Sequence, residues 1–377
     1  MDYSTTKTTT SLLEEKSQNN NNNKSLSVLK KTSYNVSNSN ELSSSEKQYI
    51  MEGCASDIRT DGRNCLEYRP YTILQKKNGD EQLCYENDDV FVLTNGSSRV
   101  FLPGNRSTDV LCSIKAELVR PSPSHPKEGV IDLQIDTSAI SSSSSREVEI
   151  KVGSILSHLL LPHILDKEAL CILPKKLVWR LFIDILVISL DGNILDVCSH
   201  AIRSALYNTN LPNITPIVPT SSSQKANNHQ QLKEEDILKD AVRQQRKRLS
   251  DEIMIDNDTI VTMPKGVTDC PIIVTVTLLL DHSKKKKNIF VLDTTKEEEQ
   301  CASTQVSLAI DPNGNICGIH KHSGNGTLLR THLNEILHVA IATSKQVYEM
   351  ISPTHTNGWI STGKQQHFLL TGHFELI

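Results

Sequence analysis

The chain has 377 residues, a net charge of -4 and 37% hydrophobic residues, enough for one large domain or two small ones. That charge excludes strong sequence-independent attraction to nucleic acid, so any such contact has to come from local patches. Aromatic residues make up only 4% of the chain, which argues against a base-stacking platform.

The nine cysteines form no C-x-x-C pair, the pattern of reduced, mostly buried thiols in an intracellular protein. Residues 1–45 are rich in Thr, Asn and Ser and read as a disordered leader. They carry no apolar core of a secretory signal, and no stretch is long enough to cross a bilayer. A soluble intracellular protein without membrane contact is expected.

Ordered sequence should begin with a short capped helix over 46–53, introduced by Ser-Ser-Ser-Glu. A charge-dense turn at 57–63 follows, then strands over 68–74, 91–94, 98–102, 110–118 and 130–135, punctuated by Asn-Gly and Pro-Gly. Apolar residues at 148, 152, 155, 156, 159, 160 and 164 have the spacing of an amphipathic helix. The run 181–190 reads as a buried strand, and Asp191-Gly192-Asn193 as a tight reversal. Leu195, Cys198, Ile202, Ala205 and Leu206 then share one face of a helix that Pro212 closes.

Residues 214–258 form a low-complexity, charged insertion. Strand composition returns over 259–280, 289–292, 306–310 and 316–320, and a helical stripe runs through 328–351. The second part therefore also runs strands, then helix. The segments 213–251 and 282–302 are expected to be mobile outer loops, and the tail 353–377 lacks periodicity. The pattern is α+β, with mixed sheets carrying helices on one face and two pseudo-repeated halves, 46–213 and 259–352.

Three carboxylates surround the central turn. Asp184, Asp191 and Asp196 either hold Mg²⁺ or belong to a turn and the first turn of a helix. Arg146 opens a helix behind a serine run, placed either to hold a phosphate with backbone N–H groups or to be solvated. His158 and His163 share no helical face and lack a metal-ligand pattern. The basic clusters at 243–248 and 284–287 lack interleaved aromatics.

The segments SEKQYIMEGCASDIRTDGR (45–63), ELVRP (117–121), SREVEI (145–150), FIDILVISLDGNILD (182–196) and ALYNTNLP (205–212) together resemble the RNase PH-like subunits of the RNA exosome. The likeness covers about 46–213 and, more loosely, 259–351. It implies an RNase PH-like fold (ribosomal protein S5 domain 2-like) and a place in a hexameric ring of such subunits. It implies as partners the other ring subunits, RNA-binding cap subunits and RNA, with no cofactor and no metal. Active relatives are phosphorolytic 3′→5′ exoribonucleases whose arginines hold phosphate beside acidic residues.

On that resemblance Arg146 matches one phosphate arginine, Asp191 the turn aspartate, and Asp184 lies on the preceding strand. Two departures stand out: Ile194-Leu195 replaces the Thr/Ser-Arg after the turn, and Ser122 stands where the other phosphate arginine is expected. Attacking phosphate and the RNA phosphodiester repel each other unless a cationic cradle holds them. A non-catalytic ring subunit is therefore expected, with Arg63 and Arg146 as candidate RNA or phosphate contacts and Asp184 and Asp191 as degenerate active-site positions. An active phosphorolytic enzyme is the alternative.

Overall fold

A capping box opens the first helix: the Ser43 hydroxyl accepts from Glu46 N at 3.3 Å while Ser43 N donates to the Glu46 carboxylate at 2.7 Å. The computed structural model describes residues 42–75, 94–102, 107–140, 145–212, 214–216, 253–255, 263–280, 288–322 and 326–351. Helix α1 is Ser44–Ala55, followed by strands β1 (Thr72–Gln75), β2 (Gly96–Phe101), β3 (Asp109–Val119) and β4 (Val130–Asp136). Helix α2 (Ser145–Leu159), strands β5 (Cys171–Leu173) and β6 (Leu177–Ser189), and helix α3 (Ile194–Tyr207) complete the first half.

The first sheet has the order β1-β2-β3-β6-β4, with β5 paired to β6 as well. All pairs are antiparallel except β4 with β6. A parallel pair needs a crossover, which α2 supplies. Along β6, Leu181, Ile183, Ile185 and Val187 are all 2% exposed or less, while the residues between them are half-buried. That alternation is the signature of a strand covered on one face. Each buried side chain contributes about 1.5–3 kcal/mol.

The insertion's described ends pair as a short ribbon, β7 (Ile214–Pro216) with β8 (Ile253–Ile255). The second half contains β9 (Ile272–Leu280), β10 (Asn288–Leu292), α4 (Lys296–Cys301), β11 (Thr304–Ile310), β12 (Ile316–His322) and α5 (Arg330–Ile351). Its sheet, order β10-β9-β11-β12, is antiparallel throughout. The two halves thus share a strands-then-helix order, and among the described residues only the first contains a parallel strand pair.

Helix α3 joins the halves. Every residue from Leu195 to Leu206 is buried, which for a helix means cover all round. On one side the Ser98 hydroxyl of β2 donates to Ala201 O at 2.7 Å. On the other, Ile273 N of β9 donates to the Ser199 hydroxyl at 2.9 Å. Strand β9 is itself buried on both faces, and α3 and α5 both pack on it. So α3 lies between the sheets, and helices cover the second sheet more completely than the first.

Several expectations change in detail. The strand expected over 68–74 starts only at Thr72, because Tyr68 and Arg69 turn inward to bond Asp196 and Asp293. The segment expected to be a mobile loop at 282–302 is, over its described part 288–302, the strand whose composition was expected at 289–292 followed by a capped helix that was not. Buried Ile289, Val291 and Glu298 fix it against α1. Residues 91–93 of the strand expected at 91–94, most of 213–251, and the segments 1–41 and 352–377 lie outside the described residues. No helix among the described residues is long and apolar enough to cross a membrane.

Candidate functional site

The reversal between β6 and α3 adopts the left-handed backbone that its Gly and Asn favour: φ is 80° at Gly192 and 53° at Asn193. Thr108, just before β3, clamps it from below. Its hydroxyl donates to Gly192 O at 2.6 Å and accepts from Asp191 N at 2.9 Å. From above, the second half closes on it. A Cβ added at Gly192 would stand 2.3 Å from Thr294 O, so the backbones touch where no side chain fits.

The groups that hold this contact carry charge. Asp293, fully buried in the left-handed region at φ 45°, receives Arg69 in a two-pronged fork, Nε to Oδ2 and Nη2 to Oδ1, both 2.9 Å. Arg69 N, Arg63 Nη1 and Asn193 Nδ2 donate to the same carboxylate at 2.7, 2.9 and 2.7 Å. Burial alone would raise the Asp293 pKa; the charge and hydrogen bonds of Arg69, with the charge of Arg63, outweigh it and hold the carboxyl well below its usual range. Arg69 also reaches the turn, with Nη1 3.1 Å from Asp191 O and 3.5 Å from its carboxylate. Beside it Arg59, buried, forks onto buried Glu298 and donates to the carbonyls of Leu292 and Asp293.

Two further carboxyls flank the turn. Glu299 accepts from Asn193 N at 2.8 Å, and burial, only partly offset by that bond and by Arg69 and Lys151, raises its pKa to about 7. Asp196 is buried inside α3's first turn and accepts from the Thr275 hydroxyl at 2.6 Å, Thr275 N at 3.1 Å and the Tyr68 hydroxyl at 2.9 Å. Burial again dominates and lifts it to about 7, against the lowering by Thr275 and Tyr68.

The candidates from sequence thus separate. Asp191 lies at the clamped turn, facing Arg69. Asp184 sits mid-strand on the partly open face of β6 and pairs with Lys115 at 3.2 Å, both side chains more than a third exposed. Asp196 is spent inside the protein. No group of three or more His, Cys, Asp or Glu among the described residues is arranged to hold a metal ion, so the Mg²⁺ reading of the three aspartates is not assembled. Arg63 is 11% exposed and committed to Asp61, Asp293 and Glu67 O. Arg146, second residue of α2, is exposed, and no described residue pairs with it.

Sequence reading missed Arg59, Arg69, Thr108, Asp293, Glu298 and Glu299. The charge-dense turn at 57–63 and the acidic run at 297–299 were visible, but nothing linked two stretches separated by some 239 residues, as Arg59 and Glu298 are.

Comparison with known proteins bears directly on this arrangement. Residues 87–212 match the 3′ exoribonuclease family, domain 1, and residues 269–343 its domain 2. The putative exosome complex exonuclease RRP42 of Dictyostelium discoideum is 24% identical over 83% of this chain and 98% of its own length. Exosome complex component RRP45A of Arabidopsis thaliana is 26% identical over 76% of this chain and 78% of its own. Among solved structures, the Archaeoglobus fulgidus exosome with RNA bound to the active site has a chain that superposes with a TM-score of 0.54 at 22% identity, covering 81% of this chain and 98% of that one. The clamped turn joins the two matched segments, which together take in more than half of the sequence, and the chain belongs to the 3′ exoribonuclease family.

Proposed function

We propose that this chain is a non-catalytic ring subunit of an RNA exosome, of the ribosomal RNA-processing protein 42 type. In this reading it builds the ring with related RNase PH-like subunits, meets RNA-binding cap subunits, and helps guide RNA toward 3′-to-5′ processing and degradation, rRNA maturation and mRNA turnover included. It would work in the nucleus, nucleolus and cytoplasm. Support for the ring assignment comes from the names of its relatives and from the fold they share.

The observation that carries inactivity is the state of the turn. Phosphorolysis needs cations free to hold inorganic phosphate beside the scissile phosphodiester. At the Asp191 turn, the Arg63 and Arg69 guanidiniums are already taken by the chain's own Asp293 and its neighbours. Ile194-Leu195 and Ser122 supply no replacement. Arg146 is then the candidate for contact with an RNA phosphate, a positioning contact without base information.

The second reading, an active phosphate-dependent exoribonuclease, draws on Arg146, exposed and without a partner among the described residues, and on the family's own activity. The deciding experiment isolates the tagged chain from cells, identifies its partners, and assays the recombinant chain on single-stranded RNA with phosphate and Mg²⁺. Co-purification of related ring subunits with no phosphate-dependent release of nucleoside diphosphates is expected. Release that disappears in Asp191→Ala would overturn the non-catalytic reading.

A further inference from the structure

Away from the turn, α1 ends in a closed loop whose two ends each carry a thiol. Cys54 lies in the last turn of α1 and Cys65 beyond the charged loop; both are buried, at 3% and 6% exposure, in a small cluster with Ile50, Leu279, Ile289 and Val291. The loop folds back on itself. Asp57, in the left-handed region at φ 57°, donates its N–H to Cys54 O at 3.0 Å, and its carboxylate accepts from Cys65 N at 2.9 Å. The Cys65 thiol donates to Cys54 O at 3.3 Å, which brings its sulfur up against Cys54. Two thiols with no role in the charged brace are thus held side by side in one buried cluster, at the ends of a loop closed by hydrogen bonds.

We propose that Cys54 and Cys65 form a reversible disulfide under peroxide, a modification that pins the loop bearing Arg59 and Arg63. The chemistry suits a thiol pair of unequal acidity. The neighbouring Cys65 thiol lowers the Cys54 pKa against the opposing effect of burial, while the Cys54 side chain and burial raise that of Cys65. The Cys54 thiolate attacks one peroxide oxygen, forming a sulfenic acid and releasing hydroxide, which is protonated to water. The Cys65 sulfur then attacks the Cys54 sulfur, an S–S bond forms, and the sulfenic oxygen leaves as a second water. Two thiols are oxidised and one hydrogen peroxide is reduced to two waters. Burial means that access follows local opening of the loop, so the reaction is slower than at an exposed thiol and directed by the neighbouring sulfur.

What the bond would control is the brace itself. Arg59 and Arg63 both lie between the two cysteines, and both hold the 292–298 segment of the second half. A covalent tie at the loop's ends limits the excursions in which those arginines let go.

The test treats the reduced full-length chain with hydrogen peroxide, blocks remaining thiols with an alkylating agent, and maps tryptic peptides without reduction. Because trypsin cuts after Lys47, Arg59, Arg63 and Lys76 but not between Arg69 and Pro70, the bond joins peptide 48–59 to peptide 64–76. That linked pair is expected as the main disulfide, reversed by a reductant, absent in Cys54→Ser, and accompanied by slower hydrogen exchange over 56–64. In urea the same treatment should scatter linkages among the cysteines. Free alkylation of both thiols after oxidation of exposed cysteines would overturn the proposal. So would a Cys54 linkage to nearby Cys301, or equal preference for the 54–65 bond in urea. The readout is taken on the wild-type chain, so a variant that fails to fold leaves it intact.

Discussion

The turn after β6 and the start of α2 carry the same kind of chemistry in opposite states. At the turn, two arginines meet a buried aspartate with further donors around it, and every prong described goes to a group of the protein itself. At α2, Arg146 stands in solvent with no partner among the described residues. A guanidinium that neutralises a buried carboxylate is structural, since removing either partner strands a charge in a low-dielectric interior. An exposed guanidinium contributes little to folding and remains available to an anion. Residue type therefore says less about function here than whether the protein has already supplied the counter-charge.

Breaking that contrast begins with Asp293→Ala. It leaves Arg63 and Arg69 facing each other without their shared carboxylate, and a loss of about 3–5 kcal/mol is expected from urea unfolding of the full-length chain. A loss below about 1 kcal/mol would mean the brace holds little. Next in size is Gly192→Ala, which combines positive φ with a Cβ pressed on Thr294 O; about 1–3 kcal/mol of destabilisation is expected.

The titration of the turn provides a gentler probe. Glu299, raised from 4.5 to about 7, and Asp196, raised from 3.8 to about 7, bind more protons folded than unfolded between those values. Stability contributed by their protonated forms is present below the unfolded pKa and is lost as pH rises toward about 7. Melting temperature should therefore fall over that window, and Glu299→Gln, which keeps an oxygen for Asn193 N, should flatten part of the fall. An unchanged pH profile in Glu299→Gln would remove Glu299 from the account.

The smallest stability effect belongs to Arg146→Ala, within about 0.5 kcal/mol of wild type in the same unfolding assay. If Arg146 meets a phosphate, RNA binding by the assembled ring should weaken uniformly across sequences, and its salt slope should drop by about 1. Arg63→Ala sharpens the comparison, because it should cost stability first. Equal stability losses in the two variants would erase the distinction drawn between them.

The family resemblance rested on short ordered segments, and those segments coincide with parts that matter structurally. The stretch 45–63 contains Glu46 of the capping box, the thiol at Cys54 and two brace arginines. The stretch 182–196 contains the inward-facing side of β6, the left-handed turn and buried Asp196. Of the candidate site, the position of Asp191 at a turn and of Arg146 at a helix start was legible, because both follow from local signals. The separation of Asp184 from Asp191 was not, since a strand's alternation tells which residues share a face without telling what lies across from them.

What the sequence determined by itself is local and periodic: the alternation in β6, the capped start of α1, the glycine and asparagine that permit the reversal, and the stripe that became α5. These depend on neighbours a few residues away, and backbone sterics with hydrophobic period suffice to specify them. Packing supplied the long-range part. It placed β4 parallel to β6, wrapped α3 between two sheets, turned part of an expected loop into α4, and brought Arg59, Arg63 and Arg69 onto Asp293 and Glu298. Charges so distant along the chain find each other because burial leaves an unpaired ion too costly, and only the packed fold says which ion is buried beside which.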